Sequence, residues 1–572
     1  MLKFLLLLII FICIFCSALP SEAPLRLPEL PNKASLLLVP LDSRPVCGSM
    51  VQKLGKLAGF NVIVPPKELL DNYQEPADSK KLWQWLQAEA PAHSESIIAT
   101  DILLHGSLLQ TRQHLASEAE QADFFAQLNR LQKKLQAQGK NPAAAQAGAN
   151  NNPGRLQLFS IIPRLLVSDE IYPDCWYQYH LMRYSQLLDM VQINGDFAMT
   201  RELLEYREEI PADILRKYTG LFAQSQGFNE RLLASIGQGT SVIIGQDDSS
   251  PFGLPKITAQ RLEQRIEAQR RTAKTAQAQI TYGADEIAAL LLTRSFLQQS
   301  QWLPKIHVLY GSPQTEFKHM PYMATSVGAT LRNQAQLVNA KLVEDSAQAD
   351  IILFVHCGDD DAKPSAAEAQ QLASLLQQGK QVALIDLSAN FEAEEMLLPL
   401  LLEQRVPLHR LIAYAGWNTF SNSSGTALAQ ACLFLGRLRE LQSDNNTDAI
   451  PALYASNLNF TAERMLEDFY YQKLIHPQLR PYLESFGTTP TDLEPEEKLE
   501  TERYIHQRLS LYAAKLLWQS LGRTPFYSDA KHCYYLDDLT VGAQLPWNRI
   551  FEVDLRVHSS VRSRALAQGS QS

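Results

Sequence analysis

The sequence contains few of the residues and patterns that identify disulfide scaffolds and nucleic-acid binders. Its seven cysteines in 572 residues are too few for a disulfide framework. Lys and Arg number 52 against 61 Asp and Glu, which gives a formal charge of −9, and no basic stripe is visible. A protein that follows a nucleic-acid backbone should carry such a stripe, so we exclude DNA and RNA as partners.

Motifs of metal and nucleophilic catalysis are also missing. His105 and His356 have aspartates nearby, but neither belongs to an HxH, HExxH or HxxxH pair. The sequence has no GxSxG motif for a serine nucleophile. We therefore assign neither a metal nor a cofactor.

Only one long apolar run is present, and it lies at the N-terminus. It extends from Phe4 to Phe15 after a single lysine and is followed by Cys16-Ser17-Ala18. This arrangement predicts a signal peptide over residues 1–18, cleaved after Ala18. An uncleaved anchor is the alternative, although the run is shorter than the roughly 20 residues of a spanning helix. We expect a secreted or periplasmic protein that is not held in a membrane after cleavage.

Runs rich in Val, Ile and Leu alternate with amphipathic helical stretches, which predicts parallel strands covered by helices. Nine runs are one more than a closed eight-stranded barrel needs. We predict an α/β fold with a TIM-barrel-like part over 34–300, a smaller open α/β part over 301–445 and a helix-rich region over 446–572. A terminal β segment is expected at Arg549–Arg556. The nine predicted strands are Leu36–Leu41, Val62–Pro65, Ser96–Thr100, Leu156–Ile162, Ser241–Gly245, Ile306–Tyr310, Ile351–His356, Val382–Asp386 and Leu411–Tyr414.

Acidic residues end many of these strands. The carboxyl ends of parallel strands lie at one edge of a sheet, so such side chains are expected to gather around one cleft. An Asp at this position can instead cap the following helix. The strand-end acids are Asp42, Asp101, Asp247, Asp248, Asp359, Asp360 and Asp386.

Three arginines follow the same strands and could balance these charges. They are Arg44, Arg112 and Arg164. Each would either organise an ion pair or clamp a hydroxyl or carboxylate of a substrate. We include His105, four residues after Asp101, among the candidate binding residues.

The segment AYAGWNTFSNSSG, residues 413–425, follows the last predicted strand. A tryptophan at a strand end commonly packs in the core. A tryptophan with neighbouring amides can also hold a sugar, because the indole stacks on the ring face and the amide pairs with a hydroxyl. Trp417, Asn418 and Asn422 are therefore candidate binding residues.

Six segments in order give the chain a resemblance to a bacterial family of uncharacterised proteins, DUF4127. The similarity extends from about Leu36 to Val557, and it implies relatives but no activity. The segments are VPLDSRPV, TDILLHGSLLQTR, GQDDSSPFG, YGADEIAALLLTR, AYAGWNTFSNSSG and LPWNRIFEVD.

The Asp247-Asp248 pair locally resembles the paired aspartates of barrel-fold N-acetylhexosaminidases of the O-GlcNAcase type. The resemblance implies that Asp247 orients the substrate's 2-acetamido group, whose oxygen attacks the anomeric carbon. Asp248 would then be the general acid and base, and Ser249, Ser250 and Phe252 would line the loop.

We predict a secreted glycoside hydrolase that acts on N-acetylhexosaminides, with a glycan or another small molecule as its partner. Adjacent aspartates suit this reaction because it needs carboxyl groups in different protonation states. Two alternatives are a non-catalytic carbohydrate-binding protein of the cell envelope and a metal-dependent hydrolase of esters or phosphoesters.

Overall fold

The computed structural model describes residues 25–138, 155–166, 175–237, 239–272, 277–359, 361 and 363–566. The predicted signal peptide and its cleavage site lie outside the described residues, as does Asp360. Among the described helices, none is both long enough and apolar enough to cross a membrane.

The first sheet contains six parallel strands in the order β2-β1-β3-β4-β5-β6. They are β1 (Ala34–Val39), β2 (Phe60–Ile63), β3 (Glu95–Ala99), β4 (Arg155–Ile162), β5 (Thr240–Gln246) and β6 (Gln277–Tyr282). The accompanying helices are α1 (Ser49–Ala58), α2 (Ser79–Glu89), α3 (Thr100–Leu104), α4 (Glu118–Gln138), α5 (Gln178–Gln192), α6 (Thr200–Glu209), α7 (Ala212–Ala234), α8 (Leu254–Thr272) and α9 (Ile287–Gln299). Every residue of β3 and β5 is buried, as expected for parallel strands covered on both faces.

The second sheet contains five parallel strands in the order β11-β10-β9-β7-β8. They are β7 (Lys305–Tyr310), β8 (Lys341–Leu342), β9 (Ile351–Gly358), β10 (Val382–Ser388) and β11 (Leu411–Ala415). The helices of this part are α10 (Val327–Val338), α11 (Ala366–Gln377), α12 (Leu398–Glu403) and α13 (Phe420–Ser443).

Helix α13 joins the two sheets. It packs against β10 and β11 of the second sheet and against α1 and α9 of the first part. Most of its residues are buried on all sides, including Ser424, Gln430 and Leu433, as expected for a helix enclosed by other elements. One apolar core accordingly includes side chains from both sheets, such as Ile243 and Val355.

The C-terminal region combines long helices with an antiparallel sheet. Its helices are α14 (Ile450–Arg464), which continues as a π-helix over Met465–Ile475, α15 (His476–Ser485) and α16 (Pro495–Leu516), which continues as a π-helix over Leu517–Leu521. The strands are β12 (Tyr527–Ser528), β13 (His532–Gln544) and β14 (Asp554–Ala565), in the order β12-β13-β14.

The predicted α/β class and helix-rich C-terminal region are confirmed. The first sheet is open, however, because β2 and β6 are its two edges and do not pair with each other in the described residues. All nine predicted strands are present, but β6 was not predicted because QAQITY contains few strongly apolar residues. The terminal β segment begins at Asp554 rather than Arg549, because residues 545–553 form the connection between β13 and β14, within which Arg549 pairs with Glu552. The division into domains stays a prediction.

Gly245 in β5 gives a test of how closely the strand ends pack. A Cβ atom there would lie 2.5 Å from the Gly283 carbonyl oxygen and 2.5 Å from Ile287 Cδ1. We expect Gly245→Ala to destabilise the fold by about 1–3 kcal/mol through overpacking, measured as a lower Tm. Gly227→Ala is the control, because this site in α7 is open and alanine favours a helix. A Tm of Gly245→Ala equal to that of the wild type would contradict the close packing.

Candidate functional site

The carboxyl edge of the first sheet collects acidic and basic side chains in the loops that follow the strands. The site residues follow five of the six strands. After β1 come Asp42 and Arg44, after β3 Asp101, after β4 Arg164, after β5 Asp247 and Asp248, and after β6 Asp285 and Glu286. Asp285 and Glu286 were not predicted as site residues, because the strand before them, β6, is too polar to be recognised from its sequence.

Arg44 connects the β1 and β6 loops. Its Nη2 atom lies 2.8 Å from Asp42 Oδ2 and 2.6 Å from Asp285 Oδ1. Its Nε donates to both oxygens of Asp42, at 3.0 and 2.9 Å. Asp42 is wholly buried and Asp285 almost so. One guanidinium therefore holds two buried carboxyl groups of distant segments in one ionic network.

Arg112 and Arg164 bind the two adjacent aspartates separately. Arg112 donates to Asp247, with 3.0 Å between Nη2 and Oδ2, and both side chains are buried. Arg164 Nη2 lies 3.0 Å from Asp248 Oδ2, and the Asp248 side chain is 24% exposed. Asp248 is thus the more solvent-accessible member of the pair.

The environment gives the two aspartates opposite proton affinities. Burial raises the pKa of Asp247. The charges of Arg112 and Arg164 and the backbone N–H of Asp248 lower this pKa by a larger amount, so it lies below its usual value. Burial and the neighbouring Asp247 charge raise the pKa of Asp248 to about 6 despite both arginines. Asp247 is therefore ionised at neutral pH, while Asp248 exchanges its proton near pH 6.

Asp101 lies within the electrostatic range of this pair. It is buried, accepts a hydrogen bond from the backbone N–H of Ile161 at 3.2 Å and receives another from the Thr100 hydroxyl. Burial is the main cause that raises its pKa to about 7, and the Asp247 charge contributes. His105 points instead toward His114, with 3.3 Å between the Nδ1 atoms, and burial lowers its pKa to about 3.

Two further carboxyl groups adjoin the network. Asp71 accepts the backbone N–H of Ser43 at 2.7 Å, and burial together with the Asp42 charge raises its pKa to about 8. Glu286 is buried beside Gln334, and burial raises its pKa to about 8 as well. Asp71 was not predicted because it does not follow a strand directly.

The C-terminal region closes one side of the site. The indole N–H of Trp547 donates to the Ser43 hydroxyl at 2.8 Å. The Arg549 guanidinium lies over the rings of Tyr73 and Trp547, 4.5 and 4.8 Å from their centroids. The segments VPLDSRPV and LPWNRIFEVD, some 500 residues apart in sequence, therefore meet at this edge.

The predicted aromatic motif lies deeper than a sugar platform requires. Trp417 is only 6% exposed and packs against Phe551, with ring centroids 6.0 Å apart. Asn418 has a left-handed backbone with φ 65°, and Asn422 is buried in the first turn of α13. This placement leaves little indole surface for a ligand.

The strand-end acids of the second sheet have other roles. Asp386 lies within β10 and accepts the backbone N–H groups of Leu397 and Leu398. Asp386 thus holds the start of α12, as in the capping alternative considered for strand-end aspartates. Asp359 pairs with Lys318 at 2.5 Å.

Residues 36–556 match the family described as protein of unknown function (DUF4127). The chain belongs to the DUF4127 family. No curated protein and no solved structure matches it. The match spans motifs from the first sheet, the second sheet and the C-terminal region.

Among the residues that the structure describes, the site of this DUF4127 protein contains neither a metal-ligand cluster nor a disulfide. Within the described ranges, no group of three or more His, Cys, Asp or Glu side chains could hold a metal ion. The described cysteines Cys47, Cys357, Cys432 and Cys533 are unpaired. Cys47 lies 4.0 Å from Asp285 Oδ1, and burial raises the pKa of its thiol.

The raised carboxyl pKa values predict how stability depends on pH. Folded Asp71, with a pKa of about 8, holds its proton more tightly than an unfolded Asp at about 3.9. This contribution to stability is complete below about pH 4 and is lost as the pH rises toward 8, at up to about 1.4 kcal/mol per pH unit. We expect Asp71→Asn to reduce the fall in Tm between pH 5 and pH 8.

Asn keeps the acceptor for the Ser43 N–H, and Asp123→Asn on the exposed face of α4 is the matched control. If Asp71→Asn showed the same fall in Tm as the wild type, Asp71 would not hold its proton in the folded state.

Proposed function

We propose that this protein is a secreted glycoside hydrolase that acts on N-acetylhexosaminides with the substrate's own acetamido group as nucleophile. The observation that carries the proposal is that two adjacent aspartates are bound by separate arginines and that only Asp248 is partly exposed. Asp247 is held ionised by Arg112, whereas the more exposed Asp248 has a pKa of about 6. Substrate-assisted hydrolysis needs one ionised carboxylate and one proton donor.

In the first step the Asp248 carboxyl gives its proton to the glycosidic oxygen as the bond from that oxygen to the anomeric carbon breaks. The acetamido oxygen forms the new bond to the anomeric carbon. The Asp247 carboxylate accepts a hydrogen bond from the acetamide N–H and stabilises the positive charge that develops on the group. Its oxygens retain lone pairs beyond those used by Arg112 and the Asp248 N–H.

In the second step water attacks the anomeric carbon and the acetamide is restored. The Asp248 carboxylate takes the proton of the attacking water, which returns it to its starting state. One residue thus serves as acid and then base, for which a pKa near the working pH is favourable. The Arg164 charge limits the rise of the Asp248 pKa, so that Asp248 can give up its proton in the first step and regain one in the second.

Removal of the proton donor tests the role of Asp248. We expect Asp248→Asn to lower kcat/KM by about 10²–10⁴-fold on 4-methylumbelliferyl N-acetylhexosaminides, while the Tm shows that the fold survives. The panel contains the α and β anomers of the N-acetylglucosaminide and the N-acetylgalactosaminide. Asp123→Asn is the control. Wild-type activity in Asp248→Asn, or no hydrolysis of the whole panel by the wild type, contradicts the proposal.

The pH profile tests the coupling between Asp248 and Arg164. The acid must be protonated, so kcat/KM should fall as the pH rises through about 6. The Arg164 charge lowers the Asp248 pKa, so Arg164→Gln should move this limb to higher pH. A limb that stays in place in Arg164→Gln would show that another group controls it.

A further inference from the structure

A cleft of about 530 Å³ opens directly beside the Asp247-Asp248 loop. One wall is formed by Ser249 and Ser250, and the other walls by segments 318–323 and 389–390. The cleft therefore lies between the carboxyl ends of β5 in the first sheet and β9 and β10 in the second. Its volume is within the range of about 300–1,000 Å³ that is typical of small-molecule sites.

Two aromatic side chains stand at this cleft. Tyr322 belongs to its lining, and Phe391 directly follows the lining residue Asn390. The two side chains are 44% and 42% exposed, and their ring centroids are 6.2 Å apart with planes inclined by 43°. Lys473 on the π-helix places its Nζ 5.0 Å from the centroid of Phe391. Tyr322 therefore exposes apolar surface at a polar cleft, and Phe391 exposes more beside it although Lys473 lies over its ring.

The backbone holds both aromatics in an unfavourable conformation. Tyr322 has φ 62° and Phe391 has φ 64°, in the left-handed region that bulky residues rarely adopt. The backbone of Tyr322 is held by a hydrogen bond, in which the Ser249 N–H donates to the Tyr322 carbonyl at 3.0 Å. This hydrogen bond links the aromatic segment directly to the loop that carries Asp248. Such strained residues concentrate where a ligand is clamped.

The charges of the cleft disfavour an anionic ligand. Lys318 is bound to Asp359 at 2.5 Å and donates to the Cys357 carbonyl, so its charge is already compensated. Asp361 adds a negative charge to the lining and disfavours an anion. The hydroxyls of Ser249 and Ser250 suit the hydroxyl groups of a sugar.

We propose that Tyr322 and Phe391 form the stacking surface of a subsite for a neutral hexose ring, next to the ring that is cleaved at Asp248. This inference rests on the proposed function for the position of the cleaved ring. Trp417, which the sequence suggested for stacking, is only 6% exposed, whereas Tyr322 and Phe391 are both exposed. A ring face stacks on the aromatic surface while the hydroxyl edges meet the polar wall.

Calorimetric titration of the Asp248→Asn protein tests the subsite without turnover. The probes are the neutral trisaccharides N,N′,N″-triacetylchitotriose, cellotriose and mannotriose, with trigalacturonate as the anionic comparison. We expect at least one neutral trisaccharide to bind, and Tyr322→Asn and Phe391→Asn, each added to Asp248→Asn, to weaken it by about tenfold. Asn tolerates the left-handed backbone and so removes the ring without changing the conformation. Tyr322→Phe should keep the affinity, and the exposed Phe486→Ala is the control outside the cleft.

If Tyr322→Asn and Phe391→Asn, each added to Asp248→Asn, bind the trisaccharide as tightly as Asp248→Asn alone, the subsite is overturned. The absence of binding by all three neutral probes overturns it as well. Trigalacturonate binding as tight as that of the best neutral probe overturns the assignment of a neutral ligand. If the wild type hydrolyses N-acetylhexosaminides but Tyr322→Asn and Phe391→Asn, each made in the wild-type background, keep its KM for N,N′,N″-triacetylchitotriose, the subsite fails and the proposed function stands. If the wild type hydrolyses none of the N-acetylhexosaminides, and Tyr322→Asn and Phe391→Asn still weaken trisaccharide binding, the proposed function fails and the subsite stands.

Discussion

Carboxyl groups are concentrated in the protein interior at the carboxyl edge of the first sheet. The arrangement of the surrounding loops follows from the need to compensate their charge. Seven carboxyl groups meet there with three arginines, in a setting where an unpaired charge is costly. They are Asp42, Asp71, Asp101, Asp247, Asp248, Asp285 and Glu286. The arginines are too few to balance full ionisation, so some carboxyl groups keep their protons. Burial raises the pKa of Asp71, Asp101, Asp248 and Glu286 accordingly.

The ion pairs that relieve this repulsion also assemble the site from distant segments. Arg44 ties the β1 loop to the β6 loop, and Arg112 reaches the loop after β5. The Trp547 N–H, near the end of the chain, closes onto Ser43. Activity of this arrangement would therefore require the whole chain, and the family match over residues 36–556 spans the same segments.

Apolar runs located the strands well, because a parallel strand covered on both faces is apolar over its whole length. The same reasoning did not predict β6, because Gln277, Gln279 and Thr281 make this strand polar. Asp285, which follows β6, was therefore not predicted either. Closure of the sheet could not be inferred, since strand composition does not reveal which strands form edges. The gathering of Asp42, Asp101 and Asp247 followed from parallel topology, whereas the burial of Trp417 depends on packing against Phe551 from a remote segment.

The proposed mechanism depends on an Asp248 that exchanges its proton near pH 6 beside an Asp247 that stays ionised. Infrared difference spectroscopy of the full chain, titrated between pH 4 and pH 8, follows protonated carboxyl groups directly. We expect a carboxyl band that disappears with a midpoint of about pH 6. This band should be absent from Asp248→Asn and present in Asp101→Asn. If the band near pH 6 persists unchanged in Asp248→Asn, the proton belongs to another residue and the assignment of the general acid is wrong.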